Sequence, residues 1–448
     1  MIQKLTHRSG RAAAGVLFAL LLTLGLAAPV SAQQAEADSV DLEEIQEQIE
    51  ALTRELEAMR LGADVVAPAD TSVLGFGPAA SKVYGVSQGV SIGGYGEVVY
   101  ENFSDEREDG TPSGASDQLD ALRGIVYVGY KFNDRLLFNS EIEWEHGSTG
   151  QAGSVSLEFA YIDYRLTDSF GLRGGLLLSP MGFVNELHEP PIFLGSNRPV
   201  VESRIIPTTW RENGLGVFGQ AGDFDYRVYL MNSLDAVGGP TSTSNASGFS
   251  AAGLRGGRQK GSKALAEDFS IVGRVDYVGT LGLTVGTSLY YGPQGHERDI
   301  PGGGVLEANT TLWEGHAEYR AQGLSLRALY ALATVDEAAA LNAVKGLAGS
   351  SSVGEKLQGG YLEAGYDVLT TAATSHQLIP FVRYEWLDTQ AEVPTGFSAN
   401  PANDDTIVTL GFSWKPIPQV VGKVDYEIHQ DEAETGVDQF NVAIGYLF

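Results

Sequence analysis

From about Val90 to Phe448, apolar and polar residues alternate with period two. In 135–146, Leu136, Phe138, Ile142 and Trp144 fall on one face and Asn139, Glu141, Glu143 and Glu145 on the other. In 418–430, Val420, Val424, Tyr426 and Ile428 oppose Lys423, Asp425, Glu427 and His429. In the last segment Phe440, Val442, Ile444, Tyr446 and Phe448 oppose Asn441, Ala443 and Gly445. A side-chain period of two is the signature of extended strands. Sixteen such segments are readable between 90 and 448. Their connections alternate in length. Asn133-Asp134, Thr167-Asp168, Gly222-Asp223, Gln322-Gly323 and Pro416-Ile417 are tight. The stretches 103–119, 147–153, 180–212, 234–267, 293–307, 335–355, 391–403 and 431–436 are long. Turns on one side and loops on the other are what a membrane-crossing barrel requires. An apolar face opposed to a charged one, where the charged one must line the interior, inverts the polarity of a soluble core. The pattern predicts an all-β fold: a sixteen-stranded antiparallel transmembrane β-barrel over 89–448, with lipid outside and water in the middle.

The period changes upstream. Leu42, Ile45, Ile49, Leu52, Leu56 and Met59 step by three and four, an a/d seam flanked by Glu, Gln and Arg. This predicts a short α-helical coiled coil over 33–62, placed in the periplasm, with a lone amphipathic helix as the alternative. Residues 1–32 read as a signal peptide: Lys4, Arg8 and Arg11, then an apolar run from Gly15 to Ala28, then Val30-Ser31-Ala32. Residues 63–88, with Pro68, Gly75, Gly77 and Pro78, read as a linker.

The chain contains no cysteine, so disulfides and thiolate chemistry are excluded. Its net charge is −28, and removing residues 1–32 takes away three cations and no acid, leaving about −31. That excludes nucleic acid as a natural partner. The seven histidines sit in no motif with a nucleophile, no G-x-S-x-G elbow occurs, and Gly93-Gly94-Tyr95-Gly96 lies inside a strand pattern rather than before a helix. No enzyme, metal or cofactor is expected.

The third long connection, 180–212, differs from the Gly/Ser-rich loop 234–267. It carries Phe183, Ile192, Phe193, Leu194, Val200, Val201, Ile205, Ile206 and Trp210 with five prolines. Apolar content at that density needs burial, and the inside of the barrel is the nearest place for it. Folded inward, it brings Arg198, Arg204, Arg211, Glu186, His188, Glu189 and Glu202 to a constriction. There a few charges decide which ions pass. Two outcomes are open for the arginines: a filter for small anions, or pairing with carboxylates that pins the loop. The pore wall is expected to contribute Arg123, Lys131, Arg165, Arg274, Arg320, Arg327, Arg383, Lys423, Glu141, Glu143 and Asp425.

The chain ends on Phe448 with aromatic or apolar residues at alternate positions before it, which resembles the signal read by the machinery that assembles outer-membrane barrels. Together with the heptads, the strand Ile92-Gly93-Gly94-Tyr95-Gly96-Glu97 and the step Pro180-Met181-Gly182 into the third loop, this organisation resembles the phosphate-selective porin O and P family. The resemblance implies an outer-membrane porin, a homotrimer, passing small hydrophilic solutes by diffusion. Such a barrel sits among outer-membrane lipids, and the acidic loop residues Asp105, Glu106, Glu108, Asp109, Asp431 and Glu432 offer lipopolysaccharide a contact through bridging divalent cations, with plain solvated charge as the alternative. The resemblance does not extend to phosphate selectivity, because lysine is absent from the third loop. The alternatives are a channel specific for an organic acid or sugar, and a structural barrel tethering the envelope.

Overall fold

The computed structural model describes residues 72–147, 153–244 and 246–448. The predicted signal peptide and coiled coil lie outside the described residues, as does the first part of the predicted linker.

Sixteen strands follow in order: β1 Gly89–Phe103, β2 Gln118–Asn133, β3 Leu136–Glu145, β4 Val155–Thr167, β5 Phe170–Leu178, β6 Arg211–Ala221, β7 Phe224–Asn232, β8 Phe269–Thr280, β9 Leu283–Gly292, β10 Thr310–Ala321, β11 Leu324–Val335, β12 Lys356–Tyr366, β13 Gln377–Glu392, β14 Asp404–Ile417, β15 Val420–Asp431 and β16 Gln439–Leu447. Each pairs antiparallel with its chain neighbours, and β1 pairs with β16, so the sheet closes with no free edge. Closure is what lets a sheet cross lipid, since an edge would leave backbone groups without partners. Phe448 completes the seam: its N–H donates to Gly94 O (2.9 Å) and its carbonyl accepts from Gly94 N–H (3.0 Å).

The faces sort as the period predicts. Val98, Tyr130, Trp144, Leu289, Trp313, Leu362, Leu410, Trp414 and Ile444 are exposed on the outside, although none would choose water. Glu97, Glu141, Arg227, Arg274, Glu314, Arg383, Lys423 and Asn441 alternate with them and are buried inside. The outer surface is therefore a lipid-facing belt.

The interior departs from the expected column of water. Three inner segments occupy it. Within the stretch predicted as linker, Pro78–Gly85 forms helix α1, preceded by an extended run from Ser72. The third long connection, L3 (179–210), folds inward and contains the single turn α2, Val201–Arg204. The loop 233–268, L4, also turns in, burying Leu234, Ala236, Phe249 and Leu254. Its Gly/Ser content favours an exposed loop, and those four apolar side chains override it because burial removes them from water. A further helix, α3 (Ala338–Lys345), caps L4, with Lys345 Nζ donating to Val237 O at 2.6 Å.

Leu410 sits at the middle of β14, half-exposed on the outer face. Leu410→Arg is expected to destabilise the barrel in lipid vesicles by about 2–4 kcal/mol, the cost of arginine near the bilayer midplane. Denaturant unfolding followed by tryptophan fluorescence measures it.

Candidate functional site

L3 is held by its apolar side chains and by the wall. Met181, Val184, Val201, Ile205, Ile206 and Trp210 are almost completely buried. Each large apolar side chain so buried contributes about 1.5–3 kcal/mol. Trp210 meets Tyr290 edge-on with centroids 4.7 Å apart, and Phe183 lies under the Arg327 guanidinium at 4.7 Å.

The loop's backbone is the harder problem, because it lacks a neighbouring strand to bond with. Wall side chains supply the partners. Arg274 donates to Gly182 O, Lys415 to Pro191 O, Arg320 to Ile192 O (2.9 Å), Ser413 to Leu194 O (2.6 Å), Lys423 to Gly195 O (2.8 Å) and Arg383 to Asn197 O (3.2 Å). Carboxylates take the amides: Ser196 N–H donates to Asp425 (2.6 Å) and Val201 N–H to Glu385 (3.4 Å). L3 is thus laced to β8, β10 and β13–β15.

The other predicted residues divide as follows. Glu202 is fully buried and accepts from Val184 N–H (2.8 Å) and Tyr361 OH (2.6 Å). Burial raises its pKa, partly offset by those two donors. Arg204 pairs with Asp405 and donates to Asn403 at 2.8 Å. Arg211, the first residue of β6, pairs with Glu158 at 2.7 Å. Glu186 pairs with Arg227 at 3.0 Å. His188 lies 3.1 Å from Glu141. Burial, then the charges of Arg198 and Arg123, push its pKa down to about 3, so the ring is neutral. Glu189 accepts from Ala79 N–H (3.3 Å) and Ala80 N–H (3.1 Å), capping α1. Glu143 is buried. Arg123 pairs with Glu97 at 2.7 Å, Arg327 with Glu318 at 2.6 Å, and Lys131 donates to Val86 O at 2.8 Å. Arg165 is exposed at the short-turn mouth.

Most of the predicted charges are therefore anchors or pairs. Arg198 is the exception in L3. It reaches only His188 O, at 3.4 Å, and among the described residues has no carboxylate partner. L4 adds Arg255, also without one there, and Arg258, which donates to Thr208 O (3.0 Å) and Thr209 O (2.9 Å). Arg255 is exposed, and the charges of Arg198 and Arg123 act on it, as in the opposite sense do those of Glu145 and Glu158. Sequence reasoning missed Arg255 and Arg258, and missed α1. The signals were present: Leu234, Phe249 and Leu254 within L4, and Ala79 and Val83 spaced by four in 63–88. Among the described residues, cavities open at the short-turn mouth. One is about 300 Å³, beside Leu74, Asp168 and Phe218; another is about 310 Å³, beside Leu194, Arg320 and Lys415.

Apolar outside, ionisable inside and crossed by an inward third loop, the chain is a sixteen-stranded transmembrane β-barrel of porin fold. It aligns with Salmonella typhi OmpF, in complex with daunomycin, over 81% of this chain and 98% of that one, with a TM-score of 0.51 at 14% identity. The anion-selective porin from Comamonas acidovorans aligns over 80% and 99%, with a TM-score of 0.48 at 14% identity. At 14% identity the likeness to OmpF is one of fold. The chain belongs to the family of a protein of Aquifex aeolicus (strain VF5) described as uncharacterized, to which it is 38% identical over 384 residues, 84% of this chain and 83% of that one. No family model matches.

Glu202→Ala leaves Val184 N–H and Tyr361 OH buried without their acceptor, which costs about 1–3 kcal/mol per group. The expected outcome is faster tryptic cleavage after Arg204 in the assembled barrel, with the barrel itself still formed.

Proposed function

We propose that this protein is an outer-membrane channel for the passive diffusion of small hydrophilic solutes, narrowed by L3 and with a preference for anions. The observation that carries the reading is the polarity of the closed wall. A belt of apolar side chains needs lipid, and an inner face of ionisable groups suits a polar passenger. The preference for anions rests on Arg198 and Arg255, the loop cations that form no ion pair among the described residues. The filled lumen speaks for a narrow, selective channel, for an organic acid or sugar, over a general sieve. It also keeps a structural, envelope-tethering role as the second reading.

The same proposal places the chain in the outer membrane among lipids and lipopolysaccharide. Residues 1–32 would be removed on export, residues 33–62 would form a coiled coil in the periplasm, and Phe448 would be read by the barrel-assembly machinery. A homotrimer is the assembly that the resemblance to porins O and P implies.

The test is the reversal potential of the purified protein in a planar bilayer under a salt gradient, then with phosphate added. Anion preference supports the reading, and block by phosphate extends it to the specificity of that porin family. Cation preference assigns control to the wall carboxylates, and absence of conductance moves the tethering role to the front. Arg198→Ala is expected to lower the anion-to-cation permeability ratio about sevenfold, because the charge attracts an anion and repels a cation by the same amount. One unit charge roughly 7 Å from a passing ion in a water-like medium is worth about 0.6 kcal/mol.

A further inference from the structure

L3 and the segment 72–88 divide the lumen between them. The carbonyl anchors of L3 lie on β8, β10 and β13–β15. The contacts of 72–88 lie on the other arc, which L3 reaches through His188 beside Glu141 of β3 and Glu186 paired with Arg227 of β7. Asn139 of β3 donates to Ala80 O at 3.0 Å, and Lys131 of β2 donates to Val86 O. Tyr84 OH donates to Asp163 of β4 (2.8 Å) and accepts from Arg173 of β5 (2.8 Å), and Arg227 of β7 donates to Leu74 O at 2.6 Å. Phe76 stacks on Tyr161 with centroids 5.8 Å apart. The wall is shaped for this segment. A Cβ on inward-facing Gly129 would lie 2.6 Å from Val83 Cβ, and one on Gly93 would lie 2.7 Å from Ala79 O.

The segment can leave without threading. Ser72–Leu74 enters beside Asp168 and Gly219, at the short-turn mouth, where a cavity of about 300 Å³ adjoins it. It rejoins the wall at the start of β1, at the same mouth, through the exposed residues Gly85, Ser87 and Gln88 and through Gly89, whose φ of +96° suits a glycine hinge. Eight residues of helix have little stability alone. What holds α1 is the seat, plus the cap from Glu189 of L3.

We propose that residues 72–88 are a strap that closes the arc of lumen left open by L3, and that its withdrawal through the short-turn mouth opens the passage. The proposal rests on the channel reading. Seated, the strap blocks the side of the barrel bounded by β1–β5. Withdrawn, it leaves that side lined by Asn139, Asp163, Arg173 and Lys131, all able to bond water in place of the strap.

The chain has no cysteine of its own, which makes a disulfide lock clean. Val83→Cys with Gly129→Cys joins strap to wall after a small shift, since a disulfide needs about 3.5–4.5 Å between Cβ atoms. Formation of the bond is read as a mobility change on gels, independently of conductance. The expected result is a bond that forms in the assembled barrel, low conductance when oxidised and a severalfold rise on reduction. Gly129→Leu, which fills the seat, and Lys131→Met, which removes an anchor, are each expected to conduct severalfold more than the unmodified chain. Failure of the bond to form, or equal non-zero conductance in the oxidised and reduced states, overturns the strap while leaving the channel reading intact. Absence of conductance in the unmodified chain, the reduced pair and both single variants overturns the channel reading and the strap with it.

Discussion

A strand in a closed barrel uses all of its backbone donors and acceptors on its two neighbours, so a segment threaded through the lumen finds no backbone to bond with. Yet the lumen is confined, and a buried carbonyl or amide without a partner costs as much as a lost hydrogen bond. In this protein the wall's charged side chains meet that demand. Cations take carbonyls, as Lys423 does for Gly195 and Arg227 for Leu74. Carboxylates take amides, as Asp425 does for Ser196 and Glu189 for Ala79 and Ala80. The mixed charge of the inner face follows from this: it is the complement of two inner backbones as much as the lining of a pore.

The same constraint explains why so few loop charges are left to act on a passing ion. Arg204 and Arg211 are neutralised by Asp405 and Glu158. Arg198 forms no ion pair of its own: its one hydrogen bond goes to the carbonyl of His188, whose ring holds the nearby wall carboxylate Glu141. Arg255 enters its field from L4. The net charge of −28 says little about this spot, since Glu106, Glu108, Asp109, Glu432 and many other acids lie on the outer loops. Over a Debye length of about 8 Å, local pairing outweighs net charge.

Stability and function pull on the same elements. The outer belt and the closed ladder keep the barrel in lipid whatever the inner segments do. The inner segments combine apolar burial, strongest in L3, with discrete polar anchors. The strap has the smaller apolar share, with Phe76, Ala79, Ala80 and Val83, and more of its hold is in side-chain contacts that water can replace. A hierarchy of that kind lets one part move while the rest stays fixed.

The alternation from Val90 to Phe448 determined the strand number, the loop parity and which face meets lipid. A period of two leaves no freedom in how a strand splits its residues between faces. The apolar, proline-rich run 180–212 also pointed to L3 folding inward, because the lumen is the nearest place that could bury it. Tertiary structure decided the rest. Arg383 and Lys423 look the same in sequence whether they face water or a carbonyl of L3, and only the path of the loop selects. Residues 78–85 offer only the spacing of Ala79 and Val83 as a helical signal, and become α1 because Glu189, Gly93 and Gly129, far apart in the chain, form one cap and one seat. L4 reads as a loop and is drawn in by four apolar side chains. Period and composition report what a residue can bury, whereas the partner that satisfies a buried polar group is set by which distant segment arrives beside it.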